Sequence, residues 1–443
     1  MDYKELLKSK TVSVEEAVGK VKDHDVIYTY GLSTEPRSFL RGLAALKGRV
    51  KDVTVINSLN TEKFDYYTDP SYAGVLNNES LFYSRFCGEP TKLGLLSYVP
   101  AHLRNMGADK IYYYDSRKKP IDIFVTCVSP LDKHGFFTSG VTGTATRDMV
   151  ENARMIILEI NENMPRTFGD TFIHINEADF VYQGENKLAC LEAREITDTD
   201  RQIGKYVADM VDDGSTIQLG IGSIPDAVTV ELLNKHDLGV HTEMLGDGFV
   251  KLFEAGVITN KKKTYFPGKM VTSFSYGNQK TYDFLNDNMG VLHLSIARAN
   301  SPYEIAKNDR MISINSTLEI DLMGQCASEA VGPFQLSGIG GQTDTAVGAK
   351  MSRGGKSIIV LHSTAMVKTK TGERERISKV VCTHQGGTVI SLLRADVDYV
   401  VTEYGVASLR GASLKERALS LINIAHPDFR SQLKEEAKRC SLL

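Results

Sequence analysis

Short apolar runs rich in β-branched residues alternate with amphipathic stretches along the whole chain. Residues 53–57, 121–128 and 357–361 are such runs, and residues 418–424 have the spacing of a helix with one apolar face. Runs at 155–159 and 397–402 have the same character. Parallel strands need crossover connections, which are usually helices. The alternation therefore predicts an α/β fold with mostly parallel sheets.

One strand-turn-helix pattern occurs twice. Residues 21–36 read VKDHDVIYTYGLSTEP and residues 210–225 read MVDDGSTIQLGIGSIP. Each segment has an acidic turn, a short strand and a Gly-x-Ser/Gly-x-x-Pro turn that opens a helix. A chain of 443 residues is also long enough for two or three domains. We expect two similar open α/β domains, at 1–190 and 191–443.

Charge and cysteine content exclude several classes of protein. Lys+Arg number 52 against Asp+Glu 55, so no basic excess would drive nucleic-acid binding. The run Lys261-Lys262-Lys263 is read as a solvated turn. The polar N-terminus and the lack of a long apolar run predict no signal peptide and no membrane segment. The six cysteines form no Cys-x-x-Cys pair, which indicates free thiols and a cytoplasmic protein.

Several familiar motifs fail on inspection. Gly354-Gly355-Lys356-Ser357 resembles the end of a phosphate-binding loop, but Lys350 stands where that motif needs glycine, and a strand-like run follows. Gly-x-Gly at 220–222 and at 338–340 lacks the third glycine of a dinucleotide fingerprint. There is no His-Glu-x-x-His and no Gly-x-Ser-x-Gly. We therefore expect no metal site.

Three glycine-rich turns and one acidic segment remain as candidates for ligand binding or catalysis. Turns at 218–225, 332–344 and 354–355 would let backbone N–H groups approach a phosphate or an oxyanion, although such turns also occur without ligands. The segment at 241–248, HTEMLGDG, carries Glu243 and Asp247. A carboxylate there is a candidate nucleophile or general base, or alternatively a helix cap or surface acid.

Taken together, several segments resemble the acetyl-CoA hydrolase/transferase family, which includes 4-hydroxybutyrate and butyryl-CoA:acetate CoA-transferases. They are GIGSIPDAV, HTEMLGDG, SEAVGPFQLSGIGGQTD, GGKSIIVLHSTA, DVDYVVTEYGVASLRG, VSPLDKHGFFTSG and ENMPRTFGD, which span about residue 26 to residue 430. The resemblance implies the CoA-transferase fold, with the catalytic glutamate in the C-terminal domain.

The resemblance also implies a reaction. Glu243 would attack an acyl-CoA thioester, and the resulting acyl-glutamyl anhydride would be opened by CoA thiolate to give a glutamyl-CoA thioester. A second carboxylic acid would then reverse these steps. Coenzyme A is thus a substrate and part of a covalent intermediate, and no tightly bound cofactor is implied. The implied partners are acyl-CoA, short-chain carboxylates and further copies of the chain in a dimer or larger homo-oligomer.

Position by position, the resemblance implies a set of CoA contacts. They are Gln218, Leu219, Gly220, Ile221, Gly222, Leu318, Gly341 and Lys368, with Gly340 and Gly341 in the turn that would stabilise the oxyanion. Leu318 is equally compatible with a core position, and Lys368 with a solvated loop. Candidate acyl-pocket loops in the N-terminal half are 31–36, 84–88 and 133–140, without individual roles.

Two departures from the usual family pattern lie near the implied site. Thr345 stands where an aromatic residue often follows the GGQxD segment, and Leu245-Gly246 replaces a commoner Ile-Ser pair. Both leave the acyl preference open. The residues also leave open an acyl-CoA hydrolase that uses the same glutamate, and a non-catalytic acyl-CoA sensor. A sensor would usually carry an additional partner domain, and no segment of this sequence is left over for one.

Overall fold

The computed structural model describes residues 2–185, 187–192, 195–369 and 372–443. Its internal contacts divide the chain into two compact units. The first unit comprises Met1–Glu192, Glu243–Asp247 and Val271–Ala299, and the second comprises Ala193–Thr242, Gly248–Met270 and Asn300–Leu443.

The elements before residue 185 all belong to the first unit. Its strands here are β1 (Val26–Thr29), β2 (Val53–Asn57), β3 (Leu76–Ser80), β4 (Leu96–Tyr98), β5 (Ile121–Val128), β6 (Phe136–Thr138), β7 (Ala153–Ile160), β8 (Phe168–Gly169), β9 (Phe172–His174) and β10 (Phe180–Gln183). Its α-helices here are α1 (Tyr3–Lys10), α2 (Val14–Val18), α3 (Arg37–Gly42), α4 (Gly88–Lys92), α5 (Met106–Asp115) and α6 (Thr146–Asn152).

The remaining elements follow in chain order. The strands are β11 (Thr216–Leu219), β12 (Gly239–Val240), β13 (Met244–Leu245), β14 (Met270–Thr272), β15 (Phe274–Ser275), β16 (Val291–His293), β17 (Met311–Ser316), β18 (Glu319–Asp321), β19 (Cys326–Ala327), β20 (Ala330–Val331), β21 (Phe334–Gln335), β22 (Lys356–Val360), β23 (Thr364–Lys368), β24 (Arg374–Ser378), β25 (Val380–Val381), β26 (Tyr399–Thr402) and β27 (Gly405–Ser408). The α-helices are α7 (Asp198–Asp209), α8 (Ser223–Glu231), α9 (Asp247–Glu254), α10 (Gln279–Leu285), α11 (Ile296–Ala299), α12 (Pro302–Ile305), α13 (Gln342–Met351), α14 (Leu414–Ile424) and α15 (Pro427–Arg439).

A parallel sheet in the order β10-β7-β5-β1-β2-β3-β4 forms the centre of the first unit. Successive side chains of a strand point to opposite faces. Accordingly Ile27 and Val55 belong to one buried apolar cluster, while Tyr28 and Ile56 belong to another. Both faces are therefore covered, as parallel sheets require, which explains why these strands read as continuous apolar runs.

The second unit has its own sheet, in the order β12-β11-β17-β22-β26-β27. Its pairs are parallel except for β26 with β27. The predicted α/β class with mostly parallel sheets is confirmed. The runs 53–57 and 121–128 are strands β2 and β5, and residues 418–424 lie in helix α14. Lys356 begins strand β22 rather than a helix, in agreement with the rejection of a phosphate-binding loop there.

The repeated sequence pattern produces a strand, a glycine turn and a helix in both units. After β1 the chain forms a 3₁₀ turn at Leu32–Thr34, and α3 starts beyond Pro36. After β11 helix α8 begins at Ser223 and has Pro225 in its first turn. Proline is tolerated there because the first-turn N–H groups have no partner within the helix.

The contact-based division differs from the predicted boundary at residue 190 in one respect. The segments Glu243–Asp247 and Val271–Ala299 pack with the first unit, although they follow residue 191. Strand β13 pairs with β15, and the Ser275 N–H donates to the Val141 carbonyl at 2.7 Å. The Gly143 N–H donates to the Ser273 carbonyl at 2.8 Å. Main-chain hydrogen bonds thus hold both segments to the first unit.

Lys263 departs from the prediction of a solvated turn. It is buried, and its Nζ donates to the main-chain oxygens of Val240 and Lys269 at 2.6 and 2.8 Å. Burial disfavours the charged form and lowers the pKa of Lys263 from 10.5 to about 7. Lys261 and Lys262 are exposed, as expected.

The substitution Lys263→Met tests this burial. Between about pH 7 and the ordinary lysine pKa, the unfolded state binds the proton more readily, so this residue favours folding increasingly as the pH rises through that window. The melting temperature of Lys263→Met should therefore rise less, or fall more, from pH 7 to pH 10 than that of the control Lys262→Met. Identical pH profiles for the two variants would contradict a buried neutral lysine.

Candidate active site

Three donors fix the main chain of Glu243. Its carbonyl oxygen accepts from the N–H groups of Ser273 and Phe274 at 3.0 and 3.1 Å, and from Thr272 Oγ1 at 3.1 Å. Glu243 is half-buried and immediately precedes β13. A reacting carboxylate has to be held close to its productive position, and a backbone fixed in this way limits how far Glu243 can move.

The second carboxylate of the acidic segment, Asp247, has a structural role. Its Oδ1 accepts from the Asn278 N–H and its Oδ2 from Asn278 Nδ2, both at 2.9 Å. Thr281 Oγ1 also donates to Oδ1. Asp247 thereby holds the start of α10. The three hydrogen bonds that its carboxylate accepts assign Asp247 to the packing around this helix.

A cavity of about 40 Å³ lies in the first unit beside the strand that contacts Glu243. Its lining is mainly apolar with several hydroxyl groups, and consists of Tyr30, Gly31, Leu32, Thr34, Ser58, Leu59, Leu103, Met106, Val141, Thr142, Thr144, Phe274 and Ser275. Phe274 and Ser275 belong to β15. Of the three predicted pocket loops, 31–36 contributes to this lining, whereas none of the described lining residues comes from 84–88 or 133–140.

Two leucines in this lining adopt left-handed backbone conformations. Leu32 has φ +53° and Leu59 has φ +51°, and the Leu32 N–H donates to the Leu59 carbonyl at 3.0 Å. Residues with a Cβ rarely adopt this region, and each instance costs of order 1–3 kcal/mol. A Cβ on Gly31 would lie 1.7 Å from the Ser58 oxygen. Only glycine permits these two loops to approach so closely.

Glu35 connects the same two loops through hydrogen bonds of its side chain. Its side chain is buried and accepts from Asn60 Nδ2 at 2.7 Å and from the Thr61 N–H at 3.0 Å. Burial outweighs these hydrogen bonds and raises the pKa of Glu35 to about 7. The sequence analysis missed this residue. Its only sequence signal is an acidic side chain inside the repeated strand-turn-helix pattern.

In the second unit, a polar network joins Gln218 to Gly341. The Ser313 hydroxyl lies 3.0 Å from both Gln218 Oε1 and Thr345 Oγ1, and Asn315 Nδ2 donates to Thr345 Oγ1 at 2.9 Å. Thr345 Oγ1 in turn lies 3.2 Å from the Gly341 oxygen. Thr345, one of the two departures from the family pattern, thus supports the glycine turn from beneath.

The predicted CoA contacts at 218–222 differ in accessibility. Gln218 and Leu219 are buried within β11, whereas Gly220 and Gly222 are half-buried and Ile221 is 52% exposed. Gly222 has φ +135° and precedes α8. The accessible part of this segment is therefore its glycine turn, where the carboxyl end of a parallel strand meets a helix N-terminus.

Two residues missed by the sequence analysis support this turn. Asp200 Oδ1 accepts from Ser223 Oγ at 3.0 Å and lies 2.8 Å from His362 Nε2. Although burial alone would raise the pKa of Asp200, hydrogen bonds from Thr197 and these partners hold it below the usual value. His362 lies two residues beyond the end of the sheet strand β22. The three contacting residues are distant in sequence, so no local pattern reveals them.

The turn at Gly340 and Gly341 also precedes a helix. Gly340 has φ +62°, and Gly341 precedes α13, whose first-turn N–H groups lack intrahelical acceptors. Gln342 Nε2 donates to the Ser316 oxygen at 2.9 Å, which fixes this turn against the end of β17. Such N–H groups can stabilise an oxyanion or a phosphate.

Leu318 and Lys368 lie on separate elements of the second unit. Leu318 is half-buried in the link between β17 and β18, which places it outside the core. Lys368 is exposed at the end of β23 and pairs across the hairpin with Arg374. Two cations opposite one another repel, and a bound anion would relieve that repulsion. Arg374 was not among the predicted contacts.

The structure thus assigns the predicted residues to two places. Glu243 belongs to the first unit. The second unit contains Gln218–Gly222, Leu318, Gly340, Gly341 and Lys368. This division does not follow the order of the residues in the sequence. Among the residues that the structure describes, no group of three or more His, Cys, Asp or Glu side chains is arranged to hold a metal ion.

Comparison with known proteins identifies the family. The family model for the acetyl-CoA hydrolase/transferase N-terminal domain matches residues 1–192, and the one for the C-terminal domain matches residues 277–437. The 4-hydroxybutyrate coenzyme A transferase of Clostridium kluyveri is 39% identical over 99% of this chain and 100% of its own length. The chain belongs to the acetyl-CoA hydrolase/transferase family.

Several further proteins of known sequence or structure are similar to this chain. The butyryl-CoA:acetate CoA-transferase of Anaerostipes caccae is 34% identical over 100% of this chain and 99% of its own. The crystal structure of RipA from Yersinia pestis covers 100% of both chains with a TM-score of 0.91 and 34% identity. An acetyl-CoA hydrolase from Yarrowia lipolytica is less similar, at 26% identity over 77% of this chain and 70% of its own. The resemblance inferred from the sequence is confirmed.

The substitution Gly31→Ala tests the close approach of the two loops that line the cavity. The added Cβ would collide with main-chain oxygens at Ser58 and Leu59, which cannot move independently of their loop. We expect a loss of about 1–3 kcal/mol in stability, measured as a lower melting temperature. Gly386→Ala is the control, because a Cβ there meets no atom within 4 Å. Equal melting temperatures for the two variants would contradict the described loop packing.

Proposed function

We propose that this chain transfers coenzyme A between a short-chain acyl-CoA and acetate or a similar carboxylate. Butyryl-, 4-hydroxybutyryl- and propionyl-CoA are the candidate donors. The observation that carries the reaction class is the full-length similarity to proteins named as CoA-transferases. The fixed main chain of Glu243 beside the cavity of the first unit supports Glu243 as the residue that reacts.

The proposed reaction proceeds through covalent intermediates on Glu243. Its carboxylate attacks the thioester carbonyl and the C–S bond breaks. This step forms an acyl-glutamyl anhydride and releases CoA as a thiolate. The thiolate then attacks the glutamyl carbonyl, which forms a glutamyl-CoA thioester and releases the first acid as a carboxylate. A second carboxylate takes over the CoA by the reverse steps. No net proton or water is consumed. Water would hydrolyse the anhydride or the glutamyl-CoA thioester, so the site has to limit the access of water.

The second unit supplies the proposed CoA contacts. The glycine turns at 220–222 and 340–341 lead into the N-termini of α8 and α13, and exposed Ile221 offers an apolar surface to the pantetheine chain. Lys368 provides a point charge for a phosphate. Binding energy from these remote parts of CoA can be used to position the thioester at Glu243. Gly340 and Gly341 are the proposed oxyanion donors, where losing one donor costs about 2.7–4 kcal/mol in other enzymes.

The cavity of the first unit is the proposed acyl site. Its volume of about 40 Å³ is small, and Leu32, Leu59 and Phe274 supply apolar walls. A cavity of this size favours a short acyl chain over a long one. Hydroxyl groups of Thr34 and Thr142 also line it, so a short hydroxyacyl group is compatible with the same walls.

Two alternatives remain distinct from this proposal. An acyl-CoA hydrolase would use the same glutamate but release the acid to water, and the greater distance of the hydrolase relatives favours the transferase. A non-catalytic acyl-CoA sensor would bind the ester without turnover. We further expect a homo-oligomer, a cytoplasmic location and no tightly bound cofactor. No helix in the part of the chain that the structure describes is long and apolar enough to cross a bilayer.

The substitution Glu243→Gln tests the reaction and its nucleophile together. With butyryl-CoA and acetate, the unmodified protein should form acetyl-CoA with little free thiol. Glu243→Gln should lose several orders of magnitude in rate while it still binds butyryl-CoA, because an amide cannot form the anhydride. The control Glu254→Gln, an exposed glutamate at the end of α9, should keep full activity.

The products of this assay separate the alternatives. Free thiol without acetyl-CoA would identify a hydrolase, and butyryl-CoA binding without either product would identify a sensor. Full transferase activity in Glu243→Gln would overturn the assignment of the nucleophile while leaving the reaction class intact.

The substitution Leu32→Gly tests the acyl site. It enlarges the cavity and also relieves the left-handed backbone, so the protein should fold with normal stability. The ratio of kcat/KM for hexanoyl-CoA to that for butyryl-CoA should rise by about tenfold, since one or two extra methylenes are worth about 1–3 kcal/mol in a fitted pocket. The control Leu93→Gly alters an exposed leucine of the same unit and should leave the ratio unchanged. An unchanged ratio in Leu32→Gly would place the acyl chain elsewhere.

A further inference from the structure

Two cysteine side chains meet in the second unit, although they are 58 positions apart in the chain. The Sγ atoms of Cys382 and Cys440 are separated by 3.7 Å, and both thiols are free. Cys382 directly follows β25 and is only 6% exposed. Cys440 directly follows α15 and is exposed. A disulfide needs an S–S distance of about 2 Å, so an approach of under ~2 Å would join them.

The two cysteines line a groove at the surface of the second unit. The groove has a volume of about 730 Å³ and runs between β24, β25 and α15. Both cysteines line it, together with Arg376, Glu436 and Arg439. A small solute with charged groups can therefore reach the sulfur atoms, and the two arginines offer contacts to carboxylates.

The two thiols differ in reactivity in a way that sets an order of events. Burial and, to a lesser extent, the neighbouring Cys440 thiol raise the pKa of Cys382 to about 12. Cys382 is therefore a poor first nucleophile, whereas Cys440 is accessible to solvent. Once the Cys440 sulfur is bound in a disulfide, it no longer opposes ionisation of Cys382, which then lies beside the bond to be attacked.

We propose that Cys382 and Cys440 form a redox-active dithiol that low-molecular-weight disulfides oxidise to an intramolecular disulfide. The Cys440 thiolate attacks one sulfur of the small disulfide, whose S–S bond breaks and releases the first small thiol. Cys382 loses its proton to solvent and attacks the Cys440 sulfur, which releases the second small thiol. Two protein S–H groups are thus oxidised to one S–S bond, while one small disulfide is reduced to two thiols.

The disulfide would covalently join the last helix to the strand beside it. Leu433 and Ala437 already bury one face of α15 in the apolar cluster that contains Cys382. Cross-linking positions far apart in sequence restricts the unfolded chain and raises stability. The oxidised protein should therefore resist thermal unfolding more than the reduced protein. The inference is independent of the proposed CoA transfer.

The test uses the full-length protein, reduced and then exposed to oxidised glutathione. Digestion without reductant followed by mass spectrometry should show the peptides of Cys382 and Cys440 linked, with the loss of two hydrogens. The melting temperature should rise by about 5 °C and return to its initial value with dithiothreitol. The matched control Cys190→Ser removes another exposed thiol and should still form the link.

The variants separate this proposal from nonspecific oxidation. Cys440→Ser should abolish both the linked peptides and the rise in melting temperature. Cys382→Ala should stop the reaction at a glutathione adduct on Cys440, and if that variant does not fold, Cys440→Ser and the peptide map still decide. The proposal is overturned if the unmodified protein accumulates only glutathione adducts, or if Cys440 links to a residue other than Cys382, including the Cys440 of a second molecule.

Discussion

The candidate nucleophile depends on hydrogen bonds that its own carbonyl group accepts. Ser273, Phe274 and Thr272 all donate to the Glu243 oxygen, and the same strand supplies Phe274 to the wall of the cavity. The backbone of Glu243 and one wall of the cavity proposed as the acyl site are therefore parts of a single hydrogen-bonded structure. A displacement of β15 would change both the position of the carboxylate and the shape of the cavity.

In the second unit, buried polar side chains hold two glycine turns in place. At the carboxyl ends of its parallel strands, two glycine turns lead into helices, and buried polar side chains hold the turns in place. Ser313 and Thr345 connect Gln218 to one turn, while Asp200 holds the start of the helix after the other. These surrounding side chains hold both glycine turns in position at the start of a helix.

Sequence patterns predicted those features of the fold that are determined by residues close together in the sequence. The alternation of apolar runs predicted β2 and β5, because strand pleating is a local property. The HTEM segment is likewise local, and from it the role of Glu243 stays a prediction. The burial of Lys263, the raised pKa of Glu35 and the meeting of Cys382 with Cys440 come from residues brought together by the fold. No periodicity encodes such contacts, and they become visible only in the folded structure.

The division of the chain has a consequence for how the protein is made. Val271–Ala299 completes the first unit, so residues 1–192 cannot acquire all of their native contacts when they leave the ribosome. Synthesis has to pass through a large part of the second unit before the strand that holds Glu243 exists. Chains that stop before residue 274 therefore lack two of the residues that line the cavity, and the first unit is completed late in synthesis.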